Sequence, residues 1–234
     1  MNRQLFFDFD FLDENQVANL DYRFSNQGPL HMVLNQFMDF TSKHEQPIVK
    51  PVPVDIPQSI CALHRINDIQ IGDSDCCPHF FVDDNKIEPA WSRPILYIKK
   101  LKRFNRSISP NFSIFENMVE EQKRWNSFRN KFLTALWQSF GINVIPAPSC
   151  GKISDVEYYM EGWPKASLIA INSTGIGYDK HNRHLFLTTY NAMIDILKPK
   201  HILRYGPFVE GEKKEISTYY SNDAKRKEAK DGRK

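Results

Sequence analysis

Residues 114–146 read IFENMVEEQKRWNSFRNKFLTALWQSFGINVIP, and the pattern of this stretch decides the fold. Met118, Trp125, Phe128, Phe132 and Leu136 return every three or four residues, the spacing that places side chains on one face of a helix. The periodicity predicts a helix from Ile114 to Phe140. Ser113, three residues before Glu116, offers a reciprocal capping box at its start, and Gly141 a left-handed stop at its end. Ile142–Ile145 is too short and too apolar for anything but a buried strand, closed by Pro146. A helix that leads straight into a short apolar strand is the repeating unit of a parallel sheet.

The same alternation extends in both directions. Upstream, His79–Val82 reads as a strand closed by Asp83–Asp84–Asn85. A basic segment follows, with Lys99, Lys102, Arg103 and Arg106 at helical spacing, and then the extended stretch SISPNFSIF turns at Pro110. Downstream, Ser167–Ile171 is a strand, NSTGIG a turn, and Phe186, Tyr190, Met193 and Leu197 the apolar stripe of a second helix ended by Pro199. His201–Tyr205 is the next strand, broken by Gly206–Pro207. The expected fold is α/β, a mostly parallel sheet with alternating helices, either open or an incomplete barrel. An irregular N-terminal extension over 1–60 precedes a core domain over 61–220, and a basic tail over 221–234 ends the chain. Within the extension, a helix is expected near Leu30–Phe40, and Pro47, Pro51, Pro53 and Pro57 favour extended chain after it. The phenylalanines of LFFDFDF, near the start, require burial on this chain or on a partner.

The 234 residues, 41% hydrophobic and 25% charged, suit one sizeable core. No apolar run approaches the roughly 20 residues that cross a bilayer. Acids interrupt the apolar N-terminus, unlike a secretory signal, so a cytoplasmic protein without a membrane partner is expected. Cys61, Cys76, Cys77 and Cys150 fit neither a disulfide framework nor a paired zinc motif and read as reduced structural thiols. The net charge of +3 resides in the tail: removing its six basic and three acidic residues leaves 25 of each sign from totals of 31 and 28. A neutral body is a poor duplex-DNA domain.

Ligands in such folds bind outside the carboxyl ends of the strands, which selects five loops. Asp83 and Asp84 either serve a hard cation or general-base role or cap the following helix, and Asp155 is a further available acid. Ser109 and Asn111 are free of the capping role that accounts for Ser113. In NSTGIG, Ser173, Thr174 and Gly175 either cradle an anion or form an ordinary turn, since the loop lacks both the Walker lysine and the three-glycine fingerprint. Tyr205 ends its strand at the same face. His181 and His184 share a helix face with no third metal ligand nearby, so no metal or cofactor follows from the pattern. Lys99, Lys102, Arg103 and Arg106, with Tyr97 and Phe104 interleaved, form either a nucleic-acid or partner-binding stripe or the wet side of a helix.

Five ordered segments carry a family resemblance: HFFVDDNKIEPAW (79–91), SPNFSIFENM (109–118), WQSFGINVIP (137–146), EGWPKASLIAINSTG (161–175) and LKPKHILRYG (197–206). Together they resemble an uncharacterised bacterial and phage family, domain of unknown function 4417, between His79 and Tyr220. The resemblance implies a compact α/β protein of phages or mobile elements and carries no activity with it. Relatives favour Ser-Pro-Asp-Phe-Ser where this chain has Asn111, and a tryptophan after the Ile-Pro strand where it reads PAPSCGKISD. Both departures fall at strand ends, which implies a changed ligand or a binding role. Two functions are therefore expected. One is a strand-end pocket for a phosphorylated or nucleotide-like ligand. The other is a non-catalytic surface for a host protein or nucleic acid.

Overall fold

The computed structural model describes residues 31–64, 75–104, 106–176 and 179–221. Seven short strands and five α-helices alternate along them. The strands are β1 (Ser59–Ala62), β2 (Cys76–His79), β3 (Arg106–Ile108), β4 (Asn143–Ile145), β5 (Leu168–Asn172), β6 (His201–Tyr205) and β7 (Ser217–Tyr220). The helices are α1 (Asp84–Ser92), α2 (Pro94–Lys102), α3 (Glu120–Ser139), α4 (Val156–Met160) and α5 (Lys180–Leu197). Every ladder is parallel: β1 with β2, β3 with β4, and β5 with β6 with β7. The α/β architecture expected from the alternation is therefore present, as three open sheets.

Side-chain direction shows how the sheets assemble. Successive residues of a strand point to opposite faces, and both faces are buried here. Inward, Ile60, Cys77, Ile108, Ile145, Leu168, Ala170, Leu203 and Tyr205 form one cluster, with Tyr220 of β7 packed against it. Outward, Val144 joins Phe132, Leu136 and Trp137 of α3, while Ile169, Ile171 and Ile202 meet Tyr190, Met193 and Leu197 of α5. Single hydrogen bonds bridge the gaps between sheets. Ala170 N donates to Pro146 O at 2.7 Å, and the Tyr220 hydroxyl reaches Pro57 O, just ahead of β1, at 2.5 Å. The three open sheets thus share one apolar cluster on their inner faces, with helices packed on the outer faces.

Three local expectations are corrected. The strand read at His79–Val82 lies three residues earlier, at Cys76–His79, where it pairs with β1 and tolerates Pro78 because each strand of a two-stranded sheet has a free edge. The long helix begins at Glu120 rather than Ile114, so Ser113 and Glu116 form no capping box. Side chains hold the intervening loop extended: Asn130 Oδ1 accepts from Phe112 N at 2.7 Å and Asp84 binds Ser113. The basic segment splits, since α2 ends at Lys102 and Arg106 belongs to β3. Gly141 supplies the left-handed stop as read, at φ 83°.

In the N-terminal extension, residues 31–60 pack on the body. The helix near Leu30–Phe40 is a short 3-10 turn, Met32–Phe37, with Leu34 in the core. Val49 N donates to Gly162 O and Val52 N to Ser167 Oγ. LFFDFDF and all of the basic tail beyond Ser221 lie outside the described residues. None of the four cysteines is in a disulfide. Among the described residues no helix is long and apolar enough to cross a membrane.

Candidate functional site

Parallel strands bring the loops after β2, β3, β4, β5 and β6 to one end of the molecule, and polar side chains stitch each loop to the next. After β2, Asp83 pairs in solvent with Lys86 at 3.0 Å and makes no side-chain cap. Asp84 turns toward β3, where its carboxylate accepts from Ser113 N at 3.0 Å and Ser113 Oγ at 2.9 Å. Ser109, fully buried, accepts at Oγ from Ala147 N at 2.9 Å and so joins the ends of β3 and β4. Ser173 donates to Pro207 O at 2.6 Å and joins β5 to β6. Tyr205 points inward, its ring 4.5 Å from His79 and 5.4 Å from Phe81 of the β2 end. The end of β6 thus meets the end of β2.

Several residues in this stitching were not among those read from sequence. His79 is fully buried, accepts at Nδ1 from Phe81 N, and burial drives its pKa down to about 3, with His64 pushing the same way. Asn126, Arg129 and Asn130 lie on a face of α3 that is polar but buried. Asn126 Nδ2 donates to Ser113 O at 2.6 Å, Arg129 pairs with Glu88 at 2.8 Å, and the Arg129 guanidinium stacks 3.7 Å over Phe112. Their spacing of three and one was the available clue, because it puts three polar groups at one helix position beside the apolar stripe.

Between three of these loops lies a cavity of about 390 Å³. Its walls are Ile114–Glu116 after β3, Cys150–Gly151 after β4, Thr174–Ile176 after β5, and the first three turns of α5. Gly151 keeps this wall close: a Cβ there would lie 2.7 Å from the Tyr159 hydroxyl and 2.8 Å from Ile114, so a larger residue would push those side chains aside. Gly206 plays the same part behind the β5 loop, where its φ of 99° and a 2.8 Å approach to Thr174 N exclude a side chain. Asn172 Oδ1 accepts from Thr174 N at 2.8 Å and Thr174 Oγ1 at 2.5 Å, which shapes the turn. Phe186 forms part of the wall, braced from behind by Tyr190 at 5.8 Å and by Arg204 at 5.5 Å. Arg204 is itself fully buried and paired with buried Glu212. Across the mouth, Glu116 approaches His181 at 3.3 Å. Burial pushes the Cys150 thiol up to about 11, so it is no thiolate nucleophile near neutrality.

Of the residues read from sequence, Thr174 and Gly175 line this cavity. Asp84, Ser109, Ser173 and Tyr205 lie behind it as ties between loops. Asn111 is half-exposed on the β3 loop, and Asp155, in a 3-10 turn before α4, is close enough to Cys150 to help raise its pKa. Among the described residues no group of three or more His, Cys, Asp or Glu converges as a metal site. The basic stripe is divided. Lys99, Lys102 and Arg103 are exposed, whereas Arg106 spends its guanidinium on Asp55 at 2.8 Å and Asp75 at 2.5 Å. Tyr97 is buried and stacks on Trp137 at 6.3 Å, unavailable to a base.

The model of a family described as a domain of unknown function (DUF4417) matches residues 38–221. The Gene 1 protein of Mycobacterium phage L5 is 33% identical over 178 residues, 74% of this chain and 77% of the phage protein. The Gene 1 protein of Mycobacterium phage D29 is 30% identical over 210 residues, 85% of this chain and 76% of its own. No solved structure matches.

Proposed function

The chain belongs to the DUF4417 family, whose curated relatives are phage proteins, and from the cavity at its strand ends we propose that it binds a nucleotide-like small molecule there. The observation that carries the proposal is the cavity itself. It is of ligand size, it lies at the end of the parallel strands where such folds place ligands, and it is framed by loops tied rigidly to one another. An aromatic wall at Phe115 and Phe186 suits a planar ring, and Asn182 and Glu116 supply hydrogen-bonding groups. The surface reading, through Lys99, Lys102, Arg103 and Arg106, is the weaker one, because Arg106 and Tyr97 are occupied within the fold.

A thermal-shift series with nucleosides and nucleotides tests it. A ligand that binds only the native state at a hundred times its Kd adds about 2.7 kcal/mol, which raises Tm by roughly 5–10 °C in a domain of this size. Leu185→Trp, which fills the cavity from its α5 wall, abolishes the shift while leaving the far-UV circular dichroism unchanged. A panel that leaves the wild-type Tm unmoved removes the proposal, as does an equal shift in the filled variant.

A further inference from the structure

The charges around the cavity are distributed in a way that a phosphate-binding loop would avoid. Its lining contains one carboxylate, Glu116, and no lysine or arginine. A helix N-terminus faces the cavity through Asn182, and such an end ordinarily attracts anions through its free N–H groups. Here the cap is Asp179, whose carboxylate already accepts from Asn182 N at 2.9 Å. A carboxylate therefore stands where a phosphate would dock, and Glu116 adds a second on the facing loop. Lys180 and Arg183, on the same turn of α5, are exposed and form no part of the lining.

The donors that a phosphate needs are also taken. Thr174 Oγ1 gives its proton to Asn172 Oδ1, and Thr174 N donates to the same oxygen. What remains facing the cavity is an aromatic surface, an amide at Asn182 and the Glu116 carboxylate, which has one oxygen 3.3 Å from His181 and the other as an acceptor. These are the complement of a flat, uncharged ring that carries an amino group: the ring stacks on the phenylalanines, its amine donates to the carboxylate, and its ring nitrogen accepts from the amide.

We infer that the cavity takes the base of a nucleoside, of the amino-bearing kind found in adenosine and cytidine, and leaves any phosphate outside in solvent. This inference rests on the cavity being a ligand site, and names which part of a nucleotide enters it. Glu116 is then the selecting residue. A carboxylate rewards an amine donor and repels the carbonyl edge of uridine, and it disfavours any phosphate brought within a few ångströms.

Calorimetric titration of the full chain with adenosine, cytidine, uridine, their 5′-monophosphates and inorganic phosphate tests this. Adenosine or cytidine should bind at least fivefold tighter than uridine, each monophosphate should gain no more than tenfold over its nucleoside, and inorganic phosphate should not compete. Glu116→Gln, at an exposed position where folding is safe, should lower the affinity for the amino-bearing nucleosides about fivefold and narrow the gap to uridine. A monophosphate more than tenfold tighter than its nucleoside, competition by inorganic phosphate, or no preference over uridine overturns the inference while the cavity remains a ligand site. Unchanged affinities in Glu116→Gln overturn the role given to the carboxylate. Failure of every compound to bind sinks the site and the inference together, and that outcome is distinguishable from the others.

Discussion

Lys131 lies in the middle of α3 with no solvent exposure, and Nζ makes its hydrogen bond to Gln46 Oε1 at 2.9 Å. The Tyr158 ring is 5.7 Å from it, and the Arg124 guanidinium lies 4.8 Å from the same ring. Glu161 favours the charged form, but its carboxylate is engaged by Thr41 and His44 and does not pair with Lys131. Burial dominates and pulls the lysine from 10.5 to about 7. The unfolded chain thus takes up this proton as pH falls through about 10.5, and the folded protein only near 7. Between those values the unfolded state holds more protons, so this group makes stability rise with pH, by at most about 1.4 kcal/mol per unit. At and below pH 7 the accumulated penalty is about 5 kcal/mol.

Lys131→Met removes the charge and keeps the length of the side chain. It also strands Gln46 Oε1 in a buried place, at a cost of about 1–3 kcal/mol. The variant should therefore be more stable than wild type by roughly 2–4 kcal/mol at pH 7. The advantage should shrink steadily as pH rises and be lost, or reversed, by about pH 10. Guanidinium denaturation of both proteins at intervals of one pH unit between 6 and 10 measures the difference directly. Other lysines and tyrosines titrate alike in the two proteins and cancel. A variant that is less stable at pH 7, or whose difference from wild type is flat across the range, refutes the reasoning.

Two further outcomes concern the ties behind the cavity. Glu212→Gln leaves the fully buried Arg204 without its counter-charge and should cost about 3–5 kcal/mol; replacing both partners with apolar residues should recover most of that loss in urea denaturation. Ser113→Ala deletes the hydroxyl bond to Asp84 and should lower stability by about 1 kcal/mol, read as a fall in Tm. Because Ile114–Glu116 follow directly, the same variant should weaken ligand binding, whereas removal of Asp83, which pairs only with Lys86 in solvent, should do neither.

The parallel α/β plan was legible because periodicity reports burial, and burial of both strand faces is what the helices of this fold impose. β6 begins and ends at the residues its apolar run marks, His201 and Tyr205. The helix boundary at Glu120 was not legible, because it depends on Asp84 and Asn130, which are 29 and 18 residues from the atoms they hold. A capping box is a local rule, and a stronger non-local partner displaced it. The site was legible as a face and not as a list. Loop position follows from strand direction, so Thr174 and Gly175 are found at the cavity. Glu116, Asn182 and Phe186 are also there, but they lie on a loop and a helix whose approach to each other no sequence period encodes.

The polar residues that stand out at the strand ends divide by what their hydrogen bonds already do. Asp84, Ser109 and Ser173 each spend a side chain on a neighbouring loop, and in exchange the walls of the cavity are held in one arrangement before any ligand arrives. Binding then pays little ordering entropy, since the loops that close on a ligand are already joined. On the proposed reading, contact with a ligand falls to residues that line the cavity, among them Phe186, which packs against Arg204 and Tyr190. On the same reading, a hydroxyl or acid at a strand end serves the site without touching a ligand, by holding the walls of the cavity in place.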